Sequence, residues 1–447
     1  MRLLTILFCS FICTSALYEE AFTSVENPYT IESAVQTTLE RNPTLQYYRE
    51  RLTEDHEAYS LAIGKIFPAI NFQGTSNYLK NPASDVGTVF GGEAYNQYDV
   101  NFNVNQPLWD GGALLAGYQY AKKDIISRQT DLDASERDTT NSVLQAFYGV
   151  VLNEHLLQIL QDNYNLQKEI LNISERYYKI GRAEKIDVLQ QRTATALLPP
   201  QIAQADDNLK TAASQLATLL RDLGTDGVRV QGRMVTPTLN WVKQTHDAKK
   251  TQIPQLVKSR LTIDELDDTR DITMATYNPK LSFLGSIGRQ SYTKTDLLDQ
   301  NNTSWTIGLE LDIPIFAGLS SIYQNKVYAS QHNQLERQDV ALNDTQAALE
   351  ITSEKNLQVA KVQLDTGKIA AVYGQESLTE AEKQWRMHTI TYLQYQTSEQ
   401  AYLTAETNYY QAQYNYITAI ANYFVATGTP MSYLVTELER LTEIEAH

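Results

Sequence analysis

The chain has 447 residues, room for two or three ordinary domains, and a formal net charge of −16 with charged residues spread throughout. The absence of any basic patch argues against nucleic acid as a partner. Six scattered histidines (His56, His155, His246, His332, His388 and His447) show no metal-ligand spacing, and Gly91-Gly92 and Gly111-Gly112 lack the Lys-Ser/Thr of a phosphate loop. No metal, cofactor or enzymatic activity is therefore expected.

The N-terminus reads as an export signal over residues 1–16: Arg2, an apolar run from Leu3 to Cys13, then Thr14-Ser15-Ala16 as a small-residue cleavage site. The run is too short to serve instead as a spanning anchor. Cys9 and Cys13 both lie inside it, each after a bulky residue, Phe8 or Ile12, which argues against a lipid-modified cysteine. Cleavage leaves a mature chain without thiols or disulfides. Past residue 17 no apolar run approaches the roughly 20 residues of a membrane-spanning helix.

Residues 30–64 carry helical spacing (Ile31, Ala34, Val35, Leu39, then Leu45, Tyr48, Leu52, Tyr59, Ile63), with Pro43 as a break or a new start. Pro68 opens a strand with Ile70 and Phe72 on one face and Asn71, Gln73, Thr75 and Asn77 on the other; a loop rich in turn formers follows over 81–94. From Tyr98 the alternation is strict. Tyr98, Val100, Phe102 and Val104 point one way, and Asp99, Asn101, Asn103 and Asn105 the other. Pro107 is expected to end the ladder, and Asp110 to cap a helix starting at Gly111. That helix runs to about Ile180, a length of about 105 Å, which suggests a coiled coil rather than a globular domain. Val143, Phe147, Val150, Leu157, Leu160, Tyr164, Leu171 and Tyr178 form one seam; Leu144, Tyr148, Val151 and His155 form its neighbour. Gly181 occupies a C-cap position. Asp187 begins a return helix to about Leu223, with Pro199-Pro200 expected to kink it.

Residues 224–249 read as irregular, and then the pattern restarts. A helix runs from Pro254 to Thr276. Pro279 opens a strand with Leu281, Phe283 and Ile287 on one face. A polar loop follows over 293–303, and then a second strand in which Trp305, Ile307, Leu309, Leu311 and Ile313 alternate with Thr306, Gly308, Glu310 and Asp312. Pro314 leads into a helix over 319–387. A break at His388-Thr389-Ile390-Thr391 precedes a last helix to Thr427, and a short acidic tail remains. Pro43 and Pro68 match Pro254 and Pro279 at an offset of 211; Pro107 and Tyr178 match Pro314 and Trp385 at an offset of 207. This is an internal duplication, longer than the usual solenoid repeats. It divides the chain into 17–223, a connector at 224–249, a second repeat at 250–428 and a tail at 429–447. In each repeat the short helices together match the long one, so they are expected to stack end to end beside it.

Each strand has about the length of a tilted membrane-spanning strand, with faces suited to lipid outside and water inside. The alternative is a soluble antiparallel sheet with one buried face. Four strands cannot close a barrel, and open edges in lipid cost several kcal/mol per unpaired group. Either the sheet is soluble, or several chains complete one barrel; long helices with no globular core of their own favour several chains.

The chain resembles the TolC family of outer-membrane efflux and secretion ducts. The residues that carry the resemblance are Gln106-Pro107-Leu108-Trp109-Asp110-Gly111-Gly112, Arg176 to Gly181 followed by Asp187-Val188-Leu189, and Tyr409 to Gly428, in that order, together with the duplication. The resemblance implies a mainly α fold with membrane β: a homotrimer with one 12-stranded barrel in the outer membrane, continued into the periplasm by a helical barrel. It implies docking of a periplasmic adaptor protein and an inner-membrane pump, of RND or ABC type, at a tip formed by Gly181, Arg182, Ala183, Glu184, Lys185, His388, Thr389 and Ile390. It places Asp187, Trp385, Gln394 and Thr397 at the tunnel entrance, and the connector and tail in a belt around the middle. The family's second tip usually carries a glycine, a basic residue and acidic residues. Here those places hold His388, Ile390, Gln394 and Thr397, so an acidic ring does not carry over. The rival reading is a structural periplasmic coiled-coil or adaptor protein with a soluble sheet.

Some residues admit two readings. Asp187 either lines a gate or caps the returning helix. Tyr395, Tyr402, Tyr409, Tyr416 and Tyr423 recur every seven residues, as a packed seam or a stacking ladder. Trp385 packs at the tip or touches a partner. Trp109 and Trp305 belong to interfacial girdles or to a core.

Overall fold

A computed structural model describes residues 28–80, 94–222, 228–293, 295, 296, 299, 303–387 and 389–446. The expected export signal with its two cysteines, most of the 81–94 loop and His388 lie outside the described residues.

Local chemistry sets the helix boundaries. Helix α1 (Ile31–Arg41) starts at Thr30, whose Oγ1 accepts from the Ser33 N–H at 3.3 Å while the Ser33 Oγ accepts from the Thr30 N–H at 2.9 Å. Pro43 is both break and start: it opens α2 (Pro43–Gly64), with Asn42 Oδ1 accepting from the Thr44 N–H at 2.8 Å. Helix α3 (Ala113–Lys179) has 67 residues, roughly 100 Å of rod. The return path is α4 (Lys185–Ala196) and α5 (Leu198–Leu220). Pro199 and Pro200 sit in the first turn of α5, where the missing N–H groups have no intrahelical acceptor to lose. The expected kink is thus a stop and restart at Leu197.

The second repeat follows with α6 (Leu239–Lys249), α7 (Pro254–Met274), a 3₁₀ turn at Ala275–Tyr277, α8 (Ser320–Arg386), α9 (Tyr392–Thr427) and α10 (Met431–Ala446). Two of these lie where no helix was expected, in the connector read as irregular and in the acidic tail. The acidic tail is a helix that buries Met431, Leu434, Val435 and Leu438 at helical spacing, and α6 occupies the end of the connector with Val242 buried.

The main core lies at mid-length. Val143, Leu144, Phe147, Tyr148, Val150 and Val151 of α3 meet Leu216 and Leu220 of α5, Tyr416, Ile417, Ile420 and Phe424 of α9, and Leu434 and Leu438 of α10. Both predicted seams of α3 converge there. By composition alone α3 holds a window apolar enough to cross a membrane; its buried apolar residues cluster at 143–152, inside this core. Further along α3 the seam read by sevens rotates away. Tyr178 is exposed, and Asn163, Gln167, Ile170 and Ser174 are buried instead. There α3 packs on Gln191 of α4 and Glu399 of α9 instead of the mid-length core, so a different row turns inward.

The strands β1 (Ala69–Lys80), β2 (Ala94–Trp109), β3 (Lys280–Ser291) and β4 (Thr303–Asp312) form one antiparallel sheet in the order β1-β2-β3-β4. Pro107 does not end β2. It pairs with Ser282, and a bulge between Pro107 and Trp109 takes up the irregularity a proline imposes. Asp110 does cap, though α3 begins at Ala113: its Oδ2 accepts from the Leu114 N–H at 2.7 Å and its Oδ1 from the Gly112 N–H at 3.2 Å. Asp110→Ala is expected to lower stability by about 1 kcal/mol, and Asp110→Asn by much less, in thermal unfolding of the purified protein.

The duplication holds at the level of strand register. Hairpin β1–β2 pairs Ala69 with Asn105, and hairpin β3–β4 pairs Lys280 with Asp312. Moving the first pair by the offsets 211 and 207 lands on the second.

Candidate functional site

Residues facing each other in the ladders share a side of the sheet. One side carries Ile70, Phe72, Phe102, Ile287, Trp305, Ile307, Leu309 and Leu311, all exposed; Trp305 and Leu309 keep 69 % and 67 % of their surface open. The other side carries Asn71, Gln73, Thr75, Asp99, Asn101, Asn103, Ser286, Thr306 and Glu310, with Asp99 Oδ2 accepting from Thr75 Oγ1 at 3.2 Å and Gln97 Nε2 at 3.0 Å. A soluble sheet buries its apolar side on the chain's own core; this one leaves it open. Trp109 lies opposite Leu281 and Trp305 opposite Ile287. Six residues of β3 separate these rows, about 20 Å, close to the height of a membrane barrel's apolar band.

At the far ends of the long helices sit two hairpin turns built alike. The α3–α4 turn closes with the Arg182 N–H on the Tyr177 carbonyl at 2.8 Å and the Gly181 N–H on the Tyr178 carbonyl at 3.0 Å, which requires the left-handed φ of +74° at Gly181. The α8–α9 turn repeats the first bond 207 residues on, with the Thr389 N–H on the Gln384 carbonyl at 2.9 Å. Each returning helix begins with a reciprocal cap. Asp187 Oδ2 accepts from the Glu184 N–H at 3.3 Å; Gln394 Oε1 accepts from the Thr391 N–H at 2.9 Å, and Thr391 Oγ1 from the Gln394 N–H at 3.3 Å. Asp187 and Gln394 are therefore engaged in starting helices.

The remaining tip residues divide by exposure. Arg182, Glu184, Lys185 and Thr389 are exposed and Ala183 is half-buried. Thr397 is exposed, its Oγ1 donating to the Leu393 carbonyl at 2.9 Å. Trp385 is buried against Tyr395, ring centroids 5.6 Å apart, with Tyr392 beside it and Ile390 packed on the same cluster. Arg386 of α8 reaches Glu169 of α3 at 3.4 Å, which sets the two hairpins side by side. Sequence reading gave no site role to Ile180, Ile186, Leu189, Met387 and Leu393, apolar side chains that stand exposed around both turns. Their signal was apolar residues at helix ends where no seam continues.

Above the tips the bundle encloses a polar layer. Glu399 is 3 % exposed, and Gln167 Nε2 donates to both of its carboxylate oxygens; Gln191 Nε2 donates to the Gln167 carbonyl at 3.0 Å. Burial pushes the Glu399 carboxyl up to about 7, against the opposing pull of the Gln167 amide. Cavities of about 390 and 500 Å³ flank it, and Asn163 lines both. Asn163 Oδ1 and the hydroxyls of Tyr392 and Tyr395 are buried without a hydrogen-bond partner. Glu399 lies on the tyrosine seam itself. Between the tyrosines spaced by seven run Glu399, Glu406, Gln413 and Ile420, the second row of the same heptad. Reading only the aromatic row hid the acid. Among the described residues no cluster of metal-ligating side chains occurs.

The sequence profile described as "Outer membrane efflux protein" matches residues 34–220 and 248–429. A curated relative, the fusaric acid resistance protein FusA of Burkholderia cepacia, is 23 % identical over 192 residues, 42 % of this chain and 36 % of its own length. The probable efflux pump outer membrane protein TtgC of Pseudomonas putida is 20 % identical over 294 residues, 64 % of this chain and 59 % of its own. The chain thus spans between about a third and three fifths of the curated relatives it matches. Among solved structures, the CmeC outer membrane channel of Campylobacter jejuni superposes with a TM-score of 0.75 at 15 % identity, covering 93 % of this chain and 90 % of CmeC, which is a likeness of fold.

Proposed function

This chain belongs to the outer membrane efflux protein family, and from that premise we propose that it is the outer-membrane duct of a tripartite efflux or type I secretion system. Three copies assemble, their sheets join into one 12-stranded barrel in outer-membrane lipid, and their helices continue the passage across the periplasm. The repeats at 17–223 and 250–428 supply the walls, and the connector and tail form the belt between. The turns, Gly181 to Lys185 and His388 to Ile390, meet a periplasmic adaptor and, behind it, an inner-membrane pump of RND or ABC type. Ile180, Ile186, Met387 and Leu393 add an apolar rim to that surface. Asp187, Trp385, Gln394 and Thr397 surround the entrance, where Asp187 and Gln394 also fix the helix starts that shape it.

The sheet carries this reading. Its apolar side is open, its other side is polar, and β1 and β4 are edges with no strand beyond them among the described residues. In lipid such edges must be paired. Purified protein in planar bilayers is expected to give stepwise conductance, and the detergent-solubilised particle to hold three chains, each the 50.6 kDa chain less its export signal. A protein that stays monodisperse without detergent and conducts nothing would refute it. At the tips, paired Gly181→Arg and Thr389→Glu substitutions are expected to reduce adaptor co-purification several-fold while leaving the trimer intact; undiminished export would count against docking there.

A further inference from the structure

The internal duplication, read through the one junction the chain makes between its own repeats, specifies the junction it makes with a neighbour. Within the chain, β2 of the first repeat pairs with β3 of the second: Val100 faces Arg289, Val104 faces Gly285, Pro107 faces Ser282 and, past the bulge, Trp109 faces Leu281. The counterparts of β2 and β3 are β4, 207 residues later, and β1, 211 residues earlier. Both hairpin registers obey these offsets. The fourth junction of the pattern, β4 to β1, is the one a single chain leaves open.

Resting on the trimer reading above, we infer that β4 of one copy pairs antiparallel with β1 of the next in the register that faces Ile307 with Tyr78, Leu311 with Gly74, Ile313 with Phe72 and Pro314 with Asn71. Ile315 takes the bulge position of Leu108, and Phe316 faces Ile70. The apolar residues of both strands then fall on one side, continuous with the apolar side of the sheet.

Three features of the isolated chain fit a missing strand in this register. First, β2 extends four residues past Asn105, the last partner of β1, through its pairing with β3 alone. The equivalent residues 313–316 have no such partner, and β4 stops at Asp312. Second, Ile315 and Phe316 stand 95 % and 81 % exposed, beyond anything their counterparts Leu108 and Trp109 show. Third, Gly111 turns left-handed with φ +81° under the helix-to-strand corner of the second repeat. There the Asn278 Nδ2 donates to its carbonyl at 2.9 Å, and an added Cβ would lie 2.4 Å from the Ala275 oxygen. Gly318 turns the same way at φ +68° with nothing within 4 Å. The corner that covers it is the next copy's Gly64 to Phe67. Phe67, itself exposed, has no amide to donate, so this contact is apolar where the internal one is polar. Ion pairs do not carry over either. Lys123–Asp268 and Lys258–Asp131 join α3 to α7 at 2.7 and 2.5 Å, whereas the matching positions hold Ser330 with Glu57 and Gln338 with Tyr47. The junction between copies is held by strand pairing and the apolar corner.

Cysteine pairs test the register in the full-length, detergent-solubilised protein. Facing residues in an antiparallel pair lie about 4.5–5.5 Å apart and diagonal ones about 7–8 Å, which straddles the span a disulfide accepts. Within one chain, β1 and β4 are three strand spacings apart, about 14 Å, so a link between them joins two copies. Ile307→Cys with Tyr78→Cys, mildly oxidised, is expected to convert most chains to a covalently closed trimer on a denaturing gel, reversed by reductant. Ile307→Cys with Ser76→Cys, displaced by two, is expected to give no more than the parent chain, which also reports any link through Cys9 or Cys13. Leu311→Cys with Gly74→Cys repeats the test at a second row, where Gly74 has open space around it. Particles of trimer mass that close through the displaced pair, or through neither, overturn the register and leave the trimer standing. A particle mass other than three chains overturns the trimer itself.

Discussion

Leu309→Arg is expected to abolish assembly into the outer membrane, and Glu310→Arg, at the neighbouring position, to leave assembly intact. Leu309 faces Phe283 on the apolar side of the sheet, between the row of Trp305 and the row that Trp109 shares with Leu281 and Leu311, with 67 % of its surface open. Glu310 faces Ser282 on the polar side. At the bilayer midplane an arginine on the lipid side of a barrel strand costs about 2–4 kcal/mol. A trimer carries the change three times, roughly 6–12 kcal/mol in all, comparable to the whole stability of an ordinary domain. On the water side the same side chain keeps its hydration and only reverses a charge. The measurement is the fraction of protein in the outer membrane that resists alkaline extraction. Equal loss for both variants would reduce the effect to damaged strand pairing, and no loss for either would take lipid away from the apolar side.

This contrast between adjacent residues was legible in the sequence because strand geometry has a period of two and no drift. Once Trp305, Ile307, Leu309 and Leu311 alternate with polar partners, the faces are assigned for the whole strand. The duplication was legible for a similar reason, since proline positions survive as fixed points and the register follows from them. Helical seams were less secure. The row from Val143 is correct through Val150 and wrong by Tyr178, because α3 changes packing partners along its length, from the mid-length core to Gln191 and Glu399, and its inward row changes with them. The tail was read only as acidic because Glu437, Glu439, Arg440 and Glu443 dominate its composition, although Met431, Leu434, Val435 and Leu438 already had helical spacing. At the tips, sequence showed where the turns fall but left Asp187 between two roles. The reciprocal bond with Glu184 is a matter of backbone geometry that spacing alone does not fix.

The polar layer around Glu399 was the least legible part of the chain, and it leads to the second large expectation: replacing Glu399 with glutamine stabilises the protein at alkaline pH and removes a titration near neutrality. Gln167 and Asn163 of α3, Gln191 of α4, and Tyr392 and Tyr395 of α9 surround the carboxyl, with Glu382 and Glu406 on the wall of one flanking cavity. Among the described residues no cation offsets its charge there, and burial raises its pKa from the ordinary 4.5 to about 7. A carboxyl whose pKa is raised by folding favours the native state fully below its unfolded value. It loses that contribution as pH rises through about 7, when the fold must hold a buried anion. The shift corresponds to about 3 kcal/mol at pH 8.5. Glutamine keeps an oxygen for the Gln167 amide and adds a donor that faces the flanking cavities, which Asn163, with its unpartnered Oδ1, also lines. Thermal unfolding between pH 4.5 and 8.5 is expected to show the parent weakening, mostly below pH 7.5, and Glu399→Gln weakening much less. The residual slope belongs to Glu265, whose carboxyl burial and the nearby Asp124 also hold at about 7. Glu399→Ala is expected to destabilise at every pH, because it leaves the Gln167 amide unpaired and enlarges both cavities. Parallel pH profiles for the parent and Glu399→Gln would mean that the carboxyl is ionised throughout this range. Water reaching it through the flanking cavities, rather than burial, would then govern its charge.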